Sequence, residues 1–423
     1  MSIKKFMTNK QLYDSLQKTV NSSLSIYNLN IDEKLKNDRI YISDAVYKLD
    51  EKIEQSSEFI ETVDLMKKDK RINELIGKVI GSGFGGSTFE NENKCLSSFI
   101  KYLFFKSPTY SQGLFDYEYS NLEDYLYSNH LKFKDSVFLY NFDYCGNIVI
   151  LSNDFNITIG KIVDSSIINH QTQDLTYHNL ARSHFVIERK YEEPKQIWDA
   201  NSPNIFDLSK NKKIKSSSEI FDLVIIALRT LKSSGVYRDH KVRTEQITFN
   251  PYGGTGITIP AFDNTVIGEK CELKDFEVEE FIKIFNFINS NNDSRFGVSM
   301  RRLNSGMERR NIEDRLIDYM IGLETLYLPD GMDELSFRLS LRIAFLLYSG
   351  KEERKNTYLF IRNMYDLRSR IVHGKKYVLP EKDVLKVEEL LRKSIKLWIE
   401  DRNNFSYKSD KIQDGKLDSI FFE

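Results

Sequence analysis

The chain is poor in the features that staple a fold together. Its three cysteines, Cys95, Cys145 and Cys271, stand alone with no paired spacing, which argues against a zinc site or a disulfide framework and fits a reducing cytoplasm. No run of about 18 apolar residues occurs, so no membrane-spanning helix is expected. The opening M-S-I-K-K-F-M-T-N-K is not followed by the apolar stretch of an export signal. Net charge is nearly absent, formally −1 over 423 residues, so any attraction to nucleic acid must come from a local patch.

Familiar catalytic signatures are missing too. Residues 76–87, I-G-K-V-I-G-S-G-F-G-G-S, are glycine-rich, but a phosphate loop needs a terminal Gly-Lys-Ser/Thr so that lysine reaches the phosphates and the hydroxyl holds magnesium. A kinase-type loop would need a downstream H-R-D and D-F-G, and neither is present. The glycines are therefore expected to form a flexible surface loop. His130, His170, His178, His184 and His240 show no H-E-x-x-H arrangement. No cofactor or metal site is expected.

What is present is periodicity. Leu12, Leu16, Val20 and Leu24 recur every four residues and predict a first helix, and Val46, Leu49, Ile53, Ser56, Ile60 and Val63 follow as a heptad-like seam. Leu96 to Phe104 predicts a further helix. Residues 136–142, 147–152, 157–163 and 184–190 are β-branched and aromatic runs between turn residues and predict strands, with Cys145-Gly146-Asn147 turning the first into the second. Ser218 to Leu231 and Phe276 to Ile288 predict helices, with a second hairpin between them, residues 246–250 and 256–260 flanking Pro251 to Gly254. Asn289 to Ser294 reads as a linker. The expected organisation is α+β: a mostly helical region over 1–130, a mixed α/β region over 131–296, a helical bundle over 297–408 and a tail over 409–423.

Within the bundle four helices are expected. The first, Glu308 to Tyr327, presents Ile312, Leu316, Tyr319, Leu323 and Tyr327. The second, Leu335 to Tyr348, presents Phe337, Leu341, Phe345 and Tyr348. The third, about Glu352 to His373, presents Tyr358, Ile361, Tyr365 and Val372, and Gly374 is placed to cap it in a left-handed conformation. The last opens at Pro380 and presents Val384, Val387, Leu391, Ile395 and Trp398. Residues 301–376 carry 15 Lys and Arg against 11 Asp and Glu, whereas residues 1–300 carry 37 against 41. Eleven of those 15 cations are arginine, the residue suited to bidentate phosphate contacts and equally a good former of exposed helix.

The stretch Y-D-L-R-S-R-I-V-H-G, Tyr365 to Gly374, lies in that basic segment. Arg368 and His373 can supply a fixed cation and a titratable proton carrier to one phosphate, the chemistry of RNA strand scission without metal. Taken alone, R-x-x-x-x-H recurs by chance in helices, and the helical context gives it meaning. Five residues turn a helix by about 500°, which leaves the two side chains about 140° apart on one straight helix. The pair works only if the helix ends near Gly374 and frees His373, or if a second subunit completes the cleft.

I-E-D-R-L-I-D-Y-M-I-G-L-E (Ile312 to Glu324), R-L-S-L-R-I-A-F-L-L (Arg338 to Leu347) and the Y-D-L-R-S-R-I-V-H-G segment together resemble a HEPN domain of the ApeA-like branch, over about Gly297 to Arg402. The resemblance implies a C-terminal HEPN four-helix bundle behind a separate N-terminal region, and a metal-independent, cytoplasmic endoribonuclease working as a homodimer. Arg368, Ser369 and His373 would be its catalytic residues, the serine orienting the site. Glu324 matches an acidic position found near such motifs, or is an ordinary helix-end glutamate. Arg370 has either a phosphate-positioning role or a solvated face. The resemblance further implies a toxin-like effector of bacterial anti-phage defence or abortive infection, with residues 1–296 answering a phage-derived or regulatory trigger. The alternative is a non-catalytic HEPN module that binds RNA or a partner protein.

Overall fold

The computed structural model describes residues 8–30, 49–82, 85–146, 148–152, 157–161, 185–199, 216–238, 242–249, 268–290, 294–328 and 334–400. In chain order the elements are α1 (Lys10–Asn30), α2 (Ser57–Lys68), α3 (Lys70–Asn73), β1 (Lys78–Ser82), β2 (Gly85–Thr88), α4 (Glu92–Lys106) and α5 (Gln112–Tyr127). The strands β3 (His130–Tyr140), β4 (Phe142–Tyr144), β5 (Ile148–Ser152), β6 (Ile157–Lys161), β7 (Phe185–Pro194) and β8 (Gln196–Asp199) follow. After α6 (Ser217–Leu231) come β9 (Tyr237–Arg238), β10 (Arg243–Gln246) and β11 (Cys271–Leu273). The remainder is helical: α7 (Val278–Ser290), α8 (Ser294–Glu308), α9 (Ile312–Tyr327), α10 (Leu335–Leu347), α11 (Lys351–Val372) and α12 (Glu381–Glu400). The fold is mixed α+β with a helical C-terminal region, and no described helix is long and apolar enough to cross a membrane.

Two compact units interleave along the chain, one formed by 1–135, 190–214 and 243–257, the other by 136–189, 215–242 and 258–423. The sequence pattern instead divides the chain into consecutive segments. The difference arises because the divide falls within β3 and within β7.

In the first unit the α1 stripe is buried as expected, with Leu12 and Leu16 wholly enclosed. Between α1 and α2 the Thr62 hydroxyl bonds Ser15 at 2.7 Å and Thr19 at 2.8 Å, so the buried hydroxyls satisfy one another. The expected seam from Val46 to Val63 is not continuous. Its start lies outside the described residues, and Ser56 ends the preceding turn and caps α2 by accepting the Phe59 amide. The glycine stretch also differs from a flexible loop: β1 pairs with β2 and with β8. Gly86 is required there because a Cβ would lie 2.8 Å from the Trp198 ring and from the Ile80 carbonyl oxygen.

In the second unit β5, β6 and β7 form antiparallel pairs, and β3 lies beside β7. The turn expected at Cys145 to Asn147 therefore does not join two paired strands. Asn141, at φ 53°, ends β3, and β4 then pairs in parallel with β11. Residues 250–260 of the hairpin expected around Pro251 and four of the histidines, His170, His178, His184 and His240, lie outside the described residues, and of the hairpin's first arm only Gln246 is strand, as the end of β10. α6 begins with a capping box between Ser216 and Glu219 and buries Ile220, Val224 and Ala227.

The expected linker is at most a short break. α7 runs to Ser290, α8 begins at Ser294, and the Phe287 and Phe296 rings meet edge to face at 5.1 Å across it. α8 lies outside the expected set of four helices, so between Val278 and Glu400 six described helices share one core. A buried carboxylate, Glu388 on α12, links several of them. It accepts the Tyr319 hydroxyl at 2.9 Å and the Ser233 hydroxyl at 2.5 Å, and it pairs with Arg392 and Arg315. Removing one partner of such a group would strand the others without water.

Candidate active site at the end of helix α11

α11 starts with Glu352 and Glu353 and carries Arg370 in its last turn, the charge order that the helix dipole favours. Its inward stripe is Thr357, Ile361, Met364 and Leu367. The expected stripe differs: Ile361 is shared, Tyr365 is half-buried, and Val372 is 58% exposed. With Leu367 inward, the helical turn of about 100° per residue sets Arg368 on the flank.

That flank faces α9. The Arg368 guanidinium lies 3.6 Å from the Glu324 carboxylate and 6.0 Å from the centre of the Tyr365 ring. At 3.6 Å the ion pair is too long for a hydrogen bond, and both Glu324 Oε1 and Arg368 Nε are buried without a hydrogen-bond partner. Burial pushes the Glu324 carboxyl above its ordinary pKa, against the opposing pull of the Arg368 cation. Burial also raises the Tyr365 phenol, the Glu324 charge adds to this, and Arg368 works against it.

The helix ends in a Schellman motif. The Gly374 amide donates to the Ile371 carbonyl at 3.1 Å and the Lys375 amide to the Arg370 carbonyl at 2.9 Å. Gly374 adopts φ +64°, the left-handed cap expected from its position. His373 is the C-cap residue, at φ −94° and ψ 10°, with its side chain exposed. Its amide donates to the Ser369 carbonyl at 3.1 Å. Ser369 itself is half-buried.

Arg368 and Glu324 are thus brought together within one chain, and His373 is not joined to either by a hydrogen bond or ion pair. Arg370 points to a different place. It lines an open groove of about 890 Å³ with Asn363, Lys376, Tyr377 and Asp383, floored by buried Leu367. Tyr365 beside Arg368, and Lys376 and Tyr377 lining the groove, are neighbours that R-x-x-x-x-H does not include. Two signals point to them: Tyr365 precedes Arg368 by three residues, one helical turn, and Arg368 to Pro380 holds four Lys and Arg, one His and no Asp or Glu. Comparison with family models, with curated proteins and with solved structures finds no match, so the site has to be read from these residues themselves.

Proposed function

We propose that the chain is a metal-independent endoribonuclease of the HEPN type, working in the cytoplasm as a homodimer. The observation that carries the reading is the helix end. The Schellman turn stops α11 at Val372 and leaves His373 exposed at the C-cap, five residues beyond an arginine set against Glu324. His373 takes the proton of the ribose 2′ hydroxyl or delivers one to the leaving 5′ oxygen. As the 2′ oxygen–phosphorus bond forms and the bond from phosphorus to the 5′ oxygen breaks, Arg368 stabilises the extra charge on the phosphorane-like transition state. The products are a 2′,3′-cyclic phosphate and a 5′ hydroxyl. Ser369 orients the site from the intervening turn. In the setting the resemblance suggests, anti-phage defence or abortive infection, the N-terminal residues answer a trigger and RNA is the target.

Purified protein is expected to cut RNA in EDTA. His373→Ala, made at an exposed position, should melt like wild type while losing about 10²-fold or more in cleavage rate, and full activity in that variant sinks the assignment. The ion pair that occupies Arg368 favours one other reading, a related module that binds RNA or a protein without cutting. Tight RNA binding by wild type with no cleavage in any condition would select it.

A further inference from the structure

We propose that the groove beside the end of α11 is a track for single-stranded RNA, in which Arg370 and Lys376 hold the phosphates and the Tyr377 ring stacks a base. The choice of RNA rests on the nuclease reading above, whereas the single-stranded character comes from the groove itself. Two exposed cations, Arg370 and Lys376, line it, and Asn363 adds a side chain that both donates and accepts.

Tyr377 is the feature that distinguishes this groove from a plain basic patch. Its hydroxyl donates to the Glu313 carboxylate, so the phenol is tethered at its far end and the half-buried ring is held against the groove. Cations that follow a backbone combined with an aromatic ring that stacks a base are the two components of sequence-tolerant single-strand binding. A duplex keeps its bases stacked inside and would offer that ring nothing. Among the lining residues one carboxylate opposes the arrangement, Asp383, half-buried in the first turn of α12. It provides a substitution whose effect has the opposite sign.

The test measures binding of a labelled single-stranded RNA and of a duplex RNA of equal length, on the full chain carrying His373→Ala so that the strand survives the titration. The single strand is expected to bind more tightly than the duplex. Arg370→Ala with Lys376→Ala should weaken single-strand binding and reduce the slope of log affinity against log salt by about 1.4, about 0.7 per lost phosphate contact. Tyr377→Ala should cost about ten-fold, Tyr377→Phe, which keeps the ring and loses its tether to Glu313, should fall between that variant and the parent, and Asp383→Asn should bind more tightly. Parent-like affinity and salt slope in the double variant overturn the track, as does a duplex bound equally well or better. The two readings fail separately. A wild-type protein that cuts RNA while the groove variants bind normally refutes the track alone. One that binds through the groove and cuts nothing refutes the nuclease alone.

Discussion

Burial disfavours the charged form of Glu324, while the Arg368 guanidinium 3.6 Å away favours it, and burial prevails. The consequence for stability has a definite sign. Below the pKa of the unfolded chain both states hold the proton and Glu324 costs nothing. As pH rises through the elevated folded value, the folded state must carry a charge that the unfolded chain keeps in water, so stability is lost with rising pH. Glu324→Gln imitates the protonated form at every pH. It is expected to melt above wild type at pH 8, with the difference shrinking toward pH 5, and melting curves at the two pH values check this. A difference that widens on acidification would mean that the ion pair, not burial, governs this carboxylate.

At the scale of the element, the end of α11 depends on one glycine. No atom lies within 4 Å of a Cβ built on Gly374, so a substitution there meets only backbone strain at φ +64°. Gly374→Ala should therefore destabilise by about 1–2 kcal/mol, and Gly374→Asn by less, because asparagine tolerates the left-handed region. Urea unfolding measures both. Cleavage should fall further in the alanine variant than its stability loss explains, since the turn that releases His373 is the part disturbed. That cap was legible because glycine after a periodic run has few other meanings. The stripes of α1 and α12 were legible for a similar reason, each having one apolar face. α10 was not: it is apolar on several sides, and the face expected from Phe337 and Phe345 is only partly covered, Phe337 being 45% exposed, while Leu339 and Ile343 are enclosed. Arg342 is enclosed with them, donating to the Tyr327 carbonyl at 2.6 Å, a partner that no periodicity reveals. α8 was missed because Gly297 and Gly306 interrupt a polar run, although Phe296, Met300, Leu303 and Met307 keep helical spacing and are buried. Strand partners and the pairing of Arg368 with Glu324 lie beyond local pattern altogether, since both depend on which elements meet in space.

For the whole molecule, the question is whether one copy can hold a complete site. Arg368 is turned to Glu324 on α9, His373 leaves the helix at its cap, and no hydrogen bond or ion pair connects them. A helix carries the two positions about 140° apart, and the Schellman turn begins only after that rotation has accumulated. On the proposed nuclease reading, a cleft that uses both groups on one phosphate would be closed by a second copy, with arginine from one subunit and histidine from the other. In a two-fold dimer this makes two equivalent clefts. Arg368→Ala protein retains every histidine and His373→Ala protein every arginine, and each alone should be inactive. Mixed in equal amounts and allowed to exchange subunits, half of the dimers become hybrids, and each hybrid rebuilds one of its two clefts, so about a quarter of wild-type cleavage should return. Cleavage that stays at the level of the single variants, in a mixture where mass spectrometry finds the hybrid, would place both groups in one chain and require α11 to unwind at its end before it cuts.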